Sequence, residues 1–212
     1  MQKKPNNPTD IAFSPSVKHV QERKGSRRGY ENMRMADTIS SDLAHFISER
    51  DSFYLATSSA DGQPYIQHRG GPKGFLKVEG DKTLIFADFK GNRQYISIGN
   101  LEENDKVYLF LMDYANQRRI KIWGTAEIIE GDEKLLSGLM PAEYRAIGEQ
   151  VIRIKVSAWD MNCPQHIPQK FATKDVADAL NIKDSRIREL ETEIQRLKPR
   201  NSTRDANNAS AS

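Results

Sequence analysis

The sequence is poor in cysteine, with Cys163 as the single one among 212 residues. One thiol excludes a disulfide within the chain and a zinc site made of several thiolates, and it is typical of proteins from reducing compartments. Apolar residues make up 37% of the chain, below the roughly 45% typical of globular proteins. We therefore expect part of the chain, most naturally its ends, to lie outside a packed core.

Long apolar runs are also absent from the sequence. No window approaches the roughly 20 apolar residues that a membrane-spanning helix requires. The first 16 residues, MQKKPNNPTDIAFSPS, do not resemble a signal peptide. These two absences predict a cytoplasmic protein with no membrane partner.

Positive charge is in slight excess, and it is concentrated at the beginning of the chain. The formal net charge is +3, but residues 1–36 contain eight Lys and Arg against three Asp and Glu, a net charge of +5. A basic arm can contact nucleic acid, but it is more often solvated or packed on a neighbouring subunit. We therefore treat nucleic acid as the less favoured partner and interpret 1–36 as a partly ordered arm.

Short strand patterns separated by turn signals follow this arm. An amphipathic helix is predicted over Thr38–Glu49, and further helices over Asn92–Asn100 and around Asp132–Ile147. Strand patterns occur at Phe53–Ser58, Pro64–Arg69, Gly74–Glu79, Thr83–Ala87, Lys106–Met112, Arg119–Glu130 and Val151–Trp159. Seven short strands, mostly joined by tight turns, favour a mainly β fold, a small antiparallel β-barrel with peripheral helices.

The end of the chain carries a helical pattern of its own. Helices are predicted over Thr173–Leu180 and Asp184–Leu197, and the second has apolar residues at an a/d spacing. Two heptads are too short to hold a coiled coil alone, so we expect this stripe to pack on the body or on a dimer partner. The predicted organisation is an arm at 1–36, a barrel domain at 37–171, C-terminal helices at 172–198 and a disordered tail at 199–212.

The segment FADFKGNRQYISIGNL at 86–101 has the pattern of a phosphate site. Its strand ends near Phe89, and Asn92 would be a good N-cap for the helix that follows. The free N–H groups of a first helical turn favour an anion, and Arg93 in that turn would oppose the helix dipole. Arg93 is therefore a candidate phosphate ligand, although a solvated arginine on an exposed helix fits the pattern equally well.

A second cationic pattern occurs in RRIKIWG at 118–124. Alternation places Arg119, Lys121 and Trp123 on one face of a strand and isoleucines on the other. A cation at the edge of a flavin would stabilise the negative charge that develops on reduction, and an aromatic neighbour could cover a ring. An ordinary outward-facing strand with long basic side chains is the alternative interpretation.

Four motifs in order make the strongest pattern in the chain. They are DGQPYIQHRGGPKGFL at 61–76, FADFKGNRQYISIGNL at 86–101, YANQRRIKIWGTAEI at 114–128 and WDMNCPQHIPQKF at 159–171. Together they resemble the pyridoxamine 5′-phosphate oxidase-like FMN-binding split barrels, in particular their subgroup of predicted flavin-nucleotide-binding proteins. The resemblance implies a split barrel that binds FMN and pairs as a homodimer with the flavin at the subunit interface.

The resemblance also implies roles for individual residues. Phe86 and Ala87 would contact the flavin, and Arg93 with Gln94 would hold its phosphate, although the oxidases usually have lysine at the second of these positions.

Three further positions complete the cofactor site that the resemblance implies. Arg119 falls where the oxidases use a glutamine near the ring, and Trp159 falls where they carry a C-terminal tryptophan. Arg69 is the counterpart of their first-strand cation, a place that Lys73 or Lys77 could take instead.

The substrate side departs from the oxidase pattern. Where the oxidases carry an Arg-x-His clamp, this chain has the segment NCPQHI at 162–167, which argues against pyridoxamine phosphate as the substrate. Cys163 and His166 are the substrate-side candidates, with packing or a hydrogen bond in the cleft as their alternative roles. A lone Cys-x-x-His lacks a second pair of ligands, so we expect no metal site.

The leading hypothesis is an FMN-dependent oxidoreductase whose small-molecule substrate or electron donor is unknown and whose catalytic side chain is unassigned. The alternative is a flavin-nucleotide carrier or sensor without turnover. The missing clamp is the feature that favours this alternative.

Overall fold

The structure is a computed structural model that describes residues 7–162 and 164–198. The described chain forms two compact units, of which one ends at Pro168 and the other begins at Gln169. Cys163 and the tail predicted at 199–212 lie outside the described residues.

The N-terminal arm is more regular than its sequence indicates. Its described residues contain three short helices, α1 (Thr9–Ala12), α2 (Pro15–Arg23) and α3 (Arg27–Tyr30). The buried hydroxyl of Thr9 donates to the Met33 carbonyl at 3.2 Å and accepts from the Met35 N–H at 2.9 Å. Local hydrogen bonds rather than a sustained apolar period order this segment, so a search for periodicity does not detect it.

A single antiparallel sheet of seven strands forms the centre of the first unit. Its strands are β1 (Ser52–Ser58), β2 (Pro64–Gly70), β3 (Lys77–Glu79), β4 (Thr83–Phe89), β5 (Lys106–Asp113), β6 (Arg118–Ile129) and β7 (Gly148–Asn162). Their order in the sheet is β2-β1-β5-β6-β7-β4-β3. The predicted mainly β, antiparallel fold with peripheral helices is confirmed. The strand bounds agree closely except for β3, which is shorter, and β7, which extends three residues further at each end.

The core lies on one face of this sheet. Along β5 and β6, residues such as Leu109, Leu111, Ile120 and Ile122 are fully buried, and their neighbours face outward. Helix α4 (Ser41–Ser48) covers part of the core with its own apolar residues and begins where the Ser40 hydroxyl accepts the Leu43 N–H at 3.2 Å. Period-2 burial along the strands explains why the sequence pattern predicts them well.

Two of the predicted helices have different bounds in the structure. Helix α5 (Ile96–Glu103) begins four residues after Asn92 because Arg93 (φ 60°) and Tyr95 (φ 53°) have left-handed backbones that a right-handed helix cannot contain. Helix α6 (Glu133–Leu139) ends before Pro141, and the chain continues to Ile147 as a loop. The residue before a proline disfavours helical geometry, which accounts for this early end.

The described part of the second unit contains one helix, α7 (Thr173–Leu197). The prediction of two helices here is wrong, because no glycine or proline interrupts the segment between Leu180 and Asp184. Among the described residues, no helix is long and apolar enough to cross a membrane.

Candidate functional site

Two adjacent cavities lie beside β2 and the end of β4. The larger has a volume of about 630 Å³ and is also lined by the loop at 144–147. This volume lies within the roughly 300–1,000 Å³ typical of ligand pockets. The smaller, of about 40 Å³, lies against the loop at 91–95 and the start of α5. The cavities share Gln67, Arg69, Asp88, Phe89 and Gly91, and we call the pair the candidate cleft.

Arg69 and Asp88 meet at the junction of the two cavities. The Arg69 Nη1 donates to one carboxylate oxygen of Asp88, and the Gln150 side-chain amide donates to the other at 3.1 Å. Both members of the ion pair are largely buried, with side-chain exposures of 12% and 7%. Burial raises the pKa of Asp88, and the positive charge of Arg69 offsets part of that rise.

The Arg69 side chain also has an unsatisfied donor. Its Nε is buried and has no hydrogen-bond partner among the described residues. A buried donor without an acceptor is costly, so such groups often mark a place where a bound polar group belongs. The Arg69 side chain is therefore the first feature of the cleft that points to a ligand.

The loop that carries Arg93 has a different geometry from the predicted helix start. The Asn92 side-chain oxygen accepts the Gln94 N–H at 3.2 Å, which makes Asn92 the first residue of a turn rather than a helix cap. The Arg93 Nε donates to the Tyr95 hydroxyl at 3.2 Å, and this hydroxyl donates to Glu149 at 2.6 Å. The exposed Arg93 side chain is thus held at the rim of the smaller cavity, which Gln94 also lines.

Aromatic rings form one wall of the larger cavity. Phe86 and Ala87 line it but are almost fully buried, and the Phe86 ring packs edge-on against Phe53 with centroids 5.3 Å apart. Closer to solvent, the rings of Phe89 and Tyr144 lie 5.4 Å apart. The wall could therefore face a flat aromatic group, with Phe86 as its buried support.

Three cations surround the cleft. Lys90 and Arg145 line the larger cavity and Arg93 the smaller, and all three are exposed. In the described part of the chain, none of them forms an ion pair with a carboxylate. Their positive charge favours an anionic ligand such as a phosphate.

Several of these residues were not predicted from the sequence. Asp88 could have been found from the sequence. It lies inside the apolar strand FADF, and a carboxylate that is buried there must have a partner. Arg145 carried no such signal, since the loop at 144–147 reaches the cleft only after β7 has paired with β4, whereas Lys90 lies inside the motif at 86–101 that predicts the phosphate site. The sequence pattern predicts the loop at 144–147 as the end of a helix.

Arg119 does not line the cleft of its own chain. It lies on the outward face of β6, opposite Met112 of β5, and its Nε is buried without a partner among the described residues. Nearby, the pKa of the Tyr108 hydroxyl is raised to about 12. Burial causes the rise, and the positive charge of Arg119 offsets part of it. The role of Arg119 beside a flavin stays a prediction.

Trp159 and His166 also lie apart from the cleft. The Trp159 indole N–H donates to the Thr38 carbonyl at 2.8 Å, and its ring lines a different cavity next to Leu43. His166 is exposed in the loop after β7, with a left-handed backbone (φ 64°). Within one chain, the structure thus brings together Arg69, Phe86, Ala87, Arg93 and Gln94. It does not bring Arg119, Trp159 or His166 to them, and Cys163 lies outside the described residues.

The described residues contain no group of three or more His, Cys, Asp and Glu side chains that could hold a metal ion.

Comparison with known proteins adds one family match. The model of the family described as pyridoxamine 5′-phosphate oxidase matches residues 39–163. No curated protein matches the chain significantly.

Solved structures resemble the chain only loosely. HupZ from Group A Streptococcus is 24% identical, with 63% of this chain and 99% of that chain covered and a TM-score of 0.45. An FMN-binding protein from Syntrophomonas wolfei is 14% identical, with 70% and 97% covered and a TM-score of 0.44. HutZ, the haem storage protein from Vibrio cholerae, is 17% identical, with 56% and 89% covered and a TM-score of 0.38. At these identities and scores, the likenesses do not indicate what this chain binds.

Proposed function

The chain belongs to the pyridoxamine 5′-phosphate oxidase family, and from this premise we propose that it binds FMN in the candidate cleft as an oxidoreductase with a substrate other than pyridoxamine phosphate. The observation that carries the proposal is the unpaired, buried Nε of Arg69 between an aromatic wall and a cationic rim. The cytoplasmic location predicted from the sequence stays a prediction.

The rim of the cleft fits the phosphate end of FMN. Arg93, Lys90 and Arg145 have no carboxylate ion pair within the described residues, so they are available for charge-assisted hydrogen bonds to a phosphate. Arg93 is held at this rim by the Tyr95 hydroxyl, which is held in turn by Glu149. Gln94, where the oxidases have lysine, would contribute an uncharged hydrogen bond.

The interior of the cleft fits the flavin ring. The aromatic wall of Phe86, Phe89 and Tyr144 offers an apolar surface, and the Arg69 Nε would donate to a polar atom of the cofactor. When bound, FMN supplies two-electron chemistry. The role of the protein is to orient the cofactor and to exclude water from one face of the flavin ring. Arg69 and Asp88 would set the reduction potential of the flavin.

We further propose a homodimer in which Arg119 of one subunit reaches the flavin of the other. The outward face of the sheet around Arg119 is rich in aromatic rings, with Tyr108 lying 5.1 Å from Trp123 and 6.4 Å from Phe110. Apolar patches of this kind mark protein interfaces. Trp159 packs next to α4 instead, and nothing in its surroundings supports its predicted flavin contact.

The direct test is the identity of the small molecule that leaves the purified protein on heat denaturation. We expect a flavin absorption spectrum and the mass of FMN. A haem absorption band, or FMN that fails to bind on reconstitution, would contradict the proposal.

A second measurement separates an oxidoreductase from a carrier. Reduction of the bound flavin by a nicotinamide donor, followed by reoxidation by an organic acceptor, would support turnover. A bound flavin that no donor in a panel reduces and no substrate reoxidises would support the carrier or sensor instead.

A further inference from the structure

Helix α7 presents an apolar stripe that is exposed along its whole length. Except for the partly exposed Glu193, all of its residues are exposed in the described structure. The stripe consists of Val176, Leu180, Ile187, Leu190, Ile194 and Leu197, each between 45% and 67% exposed. Lone exposed apolar residues are ordinary, but a continuous row on one helix face indicates a docking surface.

The spacing of the stripe is that of a coiled coil. With Lys183 included, successive members are separated alternately by four and three residues from Val176 to Leu197, which is about three heptads. Ile187 and Ile194 occupy a positions, and Leu190 and Leu197 occupy d positions. In a parallel coiled coil, this choice of isoleucine at a and leucine at d favours two strands.

We propose that α7 forms a parallel, two-stranded coiled coil with α7 of a second copy of this chain. Charge complementarity identifies the partner. In a parallel pair, Arg186 at a g position faces Glu191 at an e position of the second copy, and Glu193 faces Lys198 in the same way. Each contact occurs twice by symmetry, so four attractive pairs flank the apolar seam.

The opposite orientation is less well matched. An antiparallel pair that aligns Ile187 with Leu190 brings Arg186 near Glu193, but it also brings Asp184 near Glu191. Two repulsive contacts between carboxylates then offset two attractive ion pairs. The charges therefore favour the parallel orientation, in which all four contacts are attractive. The ion pairs that Arg186 and Arg196 now make within the helix are exposed and weak, so pairing can exchange them.

The weakest position of the proposed seam is Lys183. It occupies a d position, so it faces Lys183 of the second copy. Its long side chain can turn its charge outward, but two ammonium groups at one layer reduce the stability of the pair. A coiled coil of three heptads is short for an isolated peptide. If the barrels of two copies also associate, the helices are tethered and their pairing becomes intramolecular.

The test uses the full chain with Cys163→Ser and one added cysteine. Leu197→Cys places a thiol at a d position, and Thr192→Cys places a matched thiol on the opposite face of the helix. We expect mild oxidation to link Leu197→Cys chains into dimers much faster than Thr192→Cys chains. An antiparallel pair would hold the two Leu197 positions at opposite ends, and no disulfide would form between them.

Further substitutions separate pairing of α7 from association of the barrels. Ile187→Lys with Ile194→Lys should abolish the Leu197→Cys dimer, Lys183→Leu should accelerate its formation, and the control Ser185→Lys with Thr192→Lys should leave it unchanged. Equal crosslinking at both cysteine positions, or crosslinking insensitive to the isoleucine substitutions, would overturn the proposal. FMN content, measured on the same samples, reports the proposed function independently.

Discussion

Arg69 and Asp88 form a buried ion pair between strands that are not neighbours in the sheet. Strand β2 lies at one edge of the sheet, and β4 lies next to the opposite edge. The ion pair therefore connects opposite sides of the sheet. The same two side chains line both cavities of the candidate cleft. One ion pair therefore contributes both to the closure of the barrel and to the shape of the site.

Asp88→Ala should destabilise the fold. The substitution removes the acceptor of two buried donors, the Arg69 Nη1 and the Gln150 amide. Because each orphaned donor costs about 1–3 kcal/mol, we expect the free energy of unfolding to fall by about 3 kcal/mol. Urea unfolding measures this, and Glu49→Ala, which breaks an exposed ion pair with Lys73, is a control that should change little. An equal effect of both substitutions would contradict the structural role of Asp88.

Asp88→Asn should change the pH dependence of stability. Since burial raises the pKa of Asp88 above its ordinary value of 3.8, the native state binds this proton more tightly than the unfolded state. The stabilisation is fully present below the unfolded pKa and is lost as the pH rises through the folded pKa. Relative to Asp88→Asn, the wild type should therefore lose stability as the pH rises from about 4, and unfolding at several pH values checks the sign. A relative gain over that range would show that the charge of Arg69 outweighs burial.

Arg93→Ala should weaken FMN binding. If Arg93 contacts the phosphate, its loss removes a charge-assisted hydrogen bond and should raise the dissociation constant roughly ten- to hundredfold. Fluorescence titration of apoprotein with FMN measures the effect. Arg28→Ala, which removes an exposed arginine from α3, is the matched control. Unchanged affinity in Arg93→Ala would place the phosphate at Lys90 or Arg145 instead.

Arg119→Ala should make the reduction potential of bound FMN more negative. A cation near the ring stabilises the negative charge of reduced flavin, so its removal disfavours reduction more than it disfavours binding. Arg119→Lys keeps the charge and should retain most of the wild-type potential. A redox titration against a reference dye gives the potential, and loss of FMN occupancy at constant potential would count against a position at the ring.

Prediction from the sequence succeeded where burial follows a regular period. The alternation along Lys106–Met112 and Arg119–Glu130 predicts strands, and the structure has β5 and β6 there. Prediction was less successful at Asn92 and in the loop after Leu139. Left-handed residues and a proline change the path of the backbone there without changing the pattern of apolar residues.

By itself, the sequence determined the strands, the ordered motifs that resemble the family and the a/d spacing over Ile187–Leu197, because each is a pattern within a short segment of the chain. Only the tertiary structure decided that Arg69 pairs with Asp88, that the loop at 144–147 lines the cleft, and that Arg119 lies away from the cleft of its own chain. These relations depend on closure of the barrel, which brings distant strands together through packing and burial. Local patterns of charge and hydrophobicity carry little information about contacts of that kind.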